Sequence, residues 1–91
     1  MTFEIRYHQL VVEKDIPKLS SVWRMKIRLA IEKRLTAEPD LYGKPLRRSL
    51  KGYHKLRVGD YRVIYSIGDR VVKILIIQHR SVVYRHVENR I

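Results

Sequence analysis

No cysteine occurs anywhere in the sequence. That excludes disulfide staples, thiol nucleophiles and thiolate metal ligands, and it suits a protein of the reducing cytoplasm. Histidine does not fill the gap. The four imidazoles stand singly at His8, His54, His79 and His86, without the paired spacing a zinc site needs, so neither a metal site nor a cofactor is expected. No apolar run reaches the roughly 18 residues of a membrane span, and the N-terminus lacks the charged-then-apolar pattern of a signal peptide, so no membrane contact is expected. Proline and glycine are also sparse, at three and four in 91 residues. With no repeat and no linker-like stretch, this implies one domain over residues 1–91 around one core. The remaining scarcity is negative charge: nine Asp and Glu stand against twenty Lys and Arg, a net charge of +11. Such an excess repels itself in a compact chain and points to a polyanionic partner.

What is present falls into alternating patterns. Thr2 to Tyr7 places Phe3 and Ile5 on one face, the period of a half-buried strand. His8 to Lys18 turns helical, with Leu10, Val11 and Ile16 inward, and Pro17 with Ser20-Ser21 ends it. Trp23, Ile27, Ile31 and Leu35 then recur every four residues amid Lys and Arg, which predicts an amphipathic helix capped by a serine. Pro39 stops that helix near Ala37, and residues 40–43 read as loop. A basic stretch from Lys44 to Gly52 precedes three strand-like runs: Tyr53 to Val58, Tyr61 to Ile67 and Val71 to Ile77. Gly59-Asp60 and Gly68-Asp69 supply the turn signals between them. Val83, Val87 and Ile91 sit at helical spacing in the tail. The fold expected is α+β, in the order β-α-α-β-β-β-(α). A mainly antiparallel four-stranded sheet carries two N-terminal helices on one face and leaves the other partly open.

Strand parity assigns the charge to that open face. Leu56 and Val58 mark the core side of their strand together with His54, which sends Tyr53, Lys55 and Arg57 outward. Tyr61, Val63 and Tyr65 send Arg62 outward in the same way, and Arg80 follows Gln78 at the end of the last strand while His79 points to the other side. Between Lys44 and Arg62 the one acidic residue is Asp60, so the face cannot be a salt-bridge network. Two readings stay open here: an ordinary solvated charged face, and a nucleic-acid surface built from Arg47, Arg48, Lys51, Tyr53, His54 and Arg57 with tyrosines, Tyr42 among them, as stacking platforms.

The run Pro45-Leu46, then Leu50-Lys51-Gly52-Tyr53-His54-Lys55-Leu56-Arg57-Val58-Gly59-Asp60-Tyr61-Arg62-Val63-Ile64-Tyr65, ending in His79-Arg80-Ser81-Val82-Val83-Tyr84-Arg85, resembles the RelE-type toxins of the RelE/ParE superfamily. The motifs cover the second half of the chain, and the first half agrees in element order. The resemblance implies a type II toxin–antitoxin system and a metal-independent endoribonuclease that cleaves messenger RNA in the ribosome by attack of a ribose 2′-hydroxyl on the adjacent phosphate. It further implies a small, acidic, helical antitoxin as partner, with a heterotetramer as one admissible assembly.

By resemblance, Lys55 matches the general base, Arg62 the arginine that stabilises the phosphate, Arg80 the arginine that protonates the leaving oxygen, and Tyr84 a tyrosine that orients the substrate. Tyr53 stands where some members have a second lysine. A lysine base at neutral pH must titrate well below the about 10.4 of a free amine, and guanidinium is a poor acid; His79, beside Arg80, is therefore a further candidate for the acid role. Two other functions fit a basic face on this fold: a ParE-like gyrase poison, and an RNA-binding module without chemistry.

Overall fold

The computed structural model describes residues 2–47 and 50–91, with the main chain alone for Tyr42. Strand β1 (Glu4–Tyr7) leads into helix α1 over residues 9–18, a π-helical turn Val11–Asp15 running into Ile16–Lys18. Helix α2 begins at Ser21, where the Ser20 hydroxyl oxygen accepts the Trp23 N–H at 3.3 Å and so satisfies one of the otherwise orphaned amide donors of the first turn. It continues through Ser21–Ala30 and a π-helical turn Ile31–Leu35. The four-residue spacing is read correctly in the sequence: Ile27, Ile31 and Leu35 are buried, and Trp23 is half-buried.

Pro39 does not merely end that helix. It opens a further short one, α3 (Pro39–Tyr42), where loop was expected, because its fixed φ suits a first helical position and its missing N–H costs nothing there. Strands β2 (Lys44–Pro45), β3 (Tyr53–Val58), β4 (Tyr61–Gly68) and β5 (Val71–His79) follow, and then α4 (Val83–His86) with a 3-10 turn Val87–Arg90.

The sheet has five strands rather than four, in the order β1-β5-β4-β3-β2; β1 lies parallel to β5 and the other pairs are antiparallel. The additional strand is the two-residue β2, which lies inside the basic stretch and shows too little alternation to be recognised. Its proline sits on the sheet edge, where an absent N–H is tolerated. The helices cover one face, where Val11, Ile27, Ile31 and Leu35 share a core with Leu56 of β3 and Ile77 of β5.

The opposite face is less open than expected. Val83 and Val87 of the C-terminal helical segment pack on Ile64, Leu75 and Ile76, with Leu46, Leu50 and Tyr53 at the margin. Ile91, expected on the same stripe, is 58% exposed, since the chain tightens into a 3-10 turn and the four-residue spacing no longer returns it to the sheet. Among the described residues no helix is long and apolar enough to cross a membrane.

Candidate functional site

Register brings the basic residues of β3 and β4 together. Arg57 lies directly across from Arg62, and Lys55 from Ile64, so Lys55 and Arg62 are diagonal neighbours on the face away from α1 and α2, with Cβ atoms roughly 7 Å apart in a ladder of this kind. Lys44 of β2 faces Lys55 from the other side and adds a cation to the same patch. Parity could not place Lys44, because its strand was not recognised.

Arg62 departs from the expectation of a free, outward side chain. It lies on the expected face but is 6% exposed, and its Nη1 donates to the carbonyls of Gly59 and Tyr61, each at 2.9 Å. The guanidinium is thus bent back onto the β3–β4 turn. Gly59 adopts φ +60°, and a Cβ there would come within 2.3 Å of the Trp23 ring, so the turn is held against α2 by a contact that only glycine permits. The Arg80 N–H donates to the Asp60 carbonyl at 2.8 Å, which brings the end of β5 to the same turn, with the Arg80 side chain exposed.

Tyr84, in the first turn of α4, completes the group. Its ring centre lies 5.7 Å from the Lys55 ammonium, within cation–π range, and the residue remains 43% exposed. Lys55, Arg62 and Tyr84 therefore share one face of the sheet, and the main chain of Arg80 reaches the turn at its end. Arg57, across from Arg62, is exposed, as are Arg47 and Lys51 in the segment before β3. Tyr53, at the lysine position of some relatives, is half-buried against Ile64 and the C-terminal valines and acts as packing. Arg48 and the Tyr42 side chain lie outside the described residues.

Both histidines named as candidates sit on the helix-side face, where strand parity puts them and away from Lys55. His54 stacks on Tyr65 with ring centres 5.5 Å apart, and its Nδ1 is buried without a hydrogen-bond partner among the described residues. His79 faces Tyr61 edge-on at 5.6 Å, and its Nδ1 accepts the Ser81 N–H at 3.2 Å and lies 2.8 Å from the Ser81 hydroxyl. That arrangement leaves the ring proton on Nε2 and points the imidazole away from Lys55. Alternation decides it: His79 pairs with Tyr61 across the ladder, and Tyr61 packs on Trp23.

A second group escaped sequence reasoning altogether. Asp15, 3% exposed, forms a bidentate ion pair with Arg90 at 2.5 and 2.8 Å. Seventy-four intervening positions hide such a pair, and an acidic residue on the inward stripe of α1 next to Val11 was its one visible sign.

Residues 6–84 match the model of the ParE toxins of type II toxin-antitoxin systems, parDE. The chain belongs to the RelE/ParE toxin superfamily. A chain of the RelBE2 toxin–antitoxin complex of Mycobacterium tuberculosis superposes with a TM-score of 0.81 at 32% identity, covering 89% of this chain and 94% of that one. Toxin RelE of the same organism is 49% identical over 53 residues, which is 56% of this chain and 55% of the relative. Toxin RelG is 47% identical over 53 residues, 61% of its length. The chain thus matches little more than half the length of these two relatives. E. coli toxin RelE, solved as a mutant in the free state, shares the fold with a TM-score of 0.74 at 23% identity over 100% of this chain and 99% of that one. The RelE-like α+β architecture expected from the motifs is the observed one.

Proposed function

We propose that this member of the RelE/ParE superfamily is a RelE-type toxin whose basic face cleaves messenger RNA, using the ribosome to present it. The observation that carries the reading is the contact of the Lys55 ammonium with the Tyr84 ring beside the anchored Arg62. In this mechanism Lys55 accepts the proton of the ribose 2′-hydroxyl, and the 2′ oxygen attacks the adjacent phosphorus. The bond from phosphorus to the 5′ oxygen breaks, and that oxygen takes a proton from the Arg80 guanidinium, which regains one from solvent water. The products are a 2′,3′-cyclic phosphate and a 5′-hydroxyl. Arg62 stabilises the added negative charge at phosphorus; two backbone carbonyls already orient its Nη1, so it need not reorganise during the reaction. Tyr84 offers a ring for a base to stack on. Arg47, Lys51 and Arg57 attract the phosphate chain, and Arg48 adds to the same basic stretch. His79, turned to the opposite face, is left out of this assignment. The cytoplasm is the compartment that fits both the substrate and the lack of cysteine.

The partner proposed is a small acidic antitoxin with a helical segment, since solved relatives from M. tuberculosis and Methanococcus jannaschii are complexes of toxin with antitoxin. Loss of a positioned general base costs about 10² to 10⁴ in rate. Lys55→Met should therefore slow the appearance of new 5′ ends on a translated message by that factor, read by primer extension, with Tyr84→Leu also slowed. Wild-type rates in Lys55→Met would remove the proposal. The ParE description of the matched family favours one further reading, a gyrase poison. Loss of gyrase supercoiling activity with messenger RNA left intact would establish it instead.

A further inference from the structure

The parallel strand β1 covers β5 only as far as Ile74, whose carbonyl accepts the His8 N–H at 2.8 Å. Beyond that point, among the described residues, the edge of β5 has no strand beside it. Two side chains distant in sequence seal it: Asp15 Oδ2 accepts the Ile77 N–H at 2.9 Å, and Arg90 Nη1 donates to the Leu75 carbonyl at 3.3 Å. The Asp15 carboxylate also holds Arg90 in the bidentate pair and accepts the Gln78 amide Nε2 at 3.3 Å. Gln78 in turn offers its Oε1 to His86 Nδ1 at 2.8 Å, so His86 carries its proton on that nitrogen. One carboxylate on α1 thereby ties down both segments that deliver site residues: the end of β5, which continues into Arg80 and pairs with Arg62 through Gln78, and the C-terminal helix, which carries Tyr84.

From this geometry we infer that Asp15 is a positioning residue: its ion pair with Arg90 clasps the C-terminal helix to the bare edge of β5 and holds Tyr84 against Lys55. The catalytic consequence rests on the messenger-cleaving reading above, while the clasp itself does not. Val83 and Val87 give the helix apolar adhesion, but dispersion contacts are not directional, whereas the bidentate pair fixes rotation and register.

The test is made on the full chain by NMR and by cleavage kinetics, with Asp15→Asn and Arg90→Lys as mild variants that keep a hydrogen-bonding group in place. Glu32→Gln, which breaks the exposed Arg28–Glu32 pair, serves as the control. In Asp15→Asn the nuclear Overhauser contact between the Lys55 side chain and the Tyr84 ring should vanish. Amides 83–90 should exchange about tenfold faster while those of β3 and β4 keep their protection. The value of kcat should fall by about ten- to a hundredfold with KM little changed, as expected of a displacement transmitted to reacting groups from a distance. Arg90→Lys should lie between it and the wild type, and Glu32→Gln should match the wild type. An intact Lys55–Tyr84 contact in Asp15→Asn, or exchange raised equally throughout the sheet, overturns the inference, as does a displaced Tyr84 with unchanged kcat. If the wild type cuts no messenger, the ribonuclease reading falls, and the two NMR measurements still decide the clasp.

Discussion

At the scale of the residue, burial and hydrogen bonding give individual side chains tasks that their type alone does not declare. Tyr65 is fully buried on the helix side, and its hydroxyl donates to the Pro39 carbonyl at 2.7 Å. A Cβ on Gly43 would fall 1.8 Å from that oxygen, so the glycine is the space in which the hydroxyl sits. Burial, reinforced by the Asp40 carboxylate, pushes the phenol from its ordinary 10.0 up to about 12. The folded chain thus holds this proton more tightly than the unfolded chain. The stability linked to it is complete below pH 10 and is lost as pH rises from there through about 12, a contribution on the order of 2 kcal/mol. Tyr65→Phe should lack this alkaline loss in a comparison of urea midpoints across pH 9 to 12. At neutral pH it should be about 1 kcal/mol less stable, because a buried carbonyl loses its donor. Equal alkaline slopes in the two proteins would show that Tyr65 is not the group responsible.

At the scale of the element, a single extra residue in β5 organises both faces of the sheet. Ile64 pairs with Ile76 but Tyr65 with Ile74, which leaves Leu75 as a bulge. Leu75 and Ile76 therefore both face α4, and Ile77 returns to the helix-side core. The unbroken apolar run from Val71 to Ile77 was readable as a central strand; the bulge was not, since every residue in it is apolar and no polar position marks the change of parity.

The β4–β5 turn shows a similar one-residue shift. Gly68-Asp69 looked like the hairpin signal, but Gly68 pairs with Val71, and the turn residues are Asp69 and Arg70 at φ 48° and 61°. A glycine at the second turn position relieves the contact between Cβ and backbone that this conformation imposes. Arg70→Gly should then stabilise the protein by about 0.5 to 1 kcal/mol, seen as a higher urea midpoint at unchanged m-value. A lower midpoint would mean that the arginine side chain contributes more than its backbone costs.

At the scale of the whole molecule, the charge of +11 is organised rather than uniform. Most acidic residues lie in the first half of the chain, while Lys44, Lys51, Lys55, Arg57 and Arg80 follow β3 from the segment before Tyr53 to the turn at Asp60. On the proposed function, affinity for a short single-stranded RNA should fall with salt at a slope of about −0.7 per phosphate neutralised. Fluorescence anisotropy should give an overall slope of about −3 for four or five contacts, and Arg57→Ala should reduce its size by about one contact. A salt-independent affinity would argue that the basic face does not hold RNA.

Local pattern along the chain was enough for the class of fold, the amphipathic helix from Trp23 to Leu35, the three-strand meander and the side of the sheet on which Lys55 and Arg62 lie. Each of these follows from local period, and period depends only on near neighbours along the chain. Tertiary structure alone decided the rest: that Arg62 is turned back onto Gly59 and Tyr61, that Lys55 meets Tyr84, that His54 stacks on Tyr65 and His79 meets Tyr61 edge-on, and that Asp15 finds Arg90. These depend on which strand edge is left bare and which distant segment reaches it, a matter of chain path in space that no local pattern encodes.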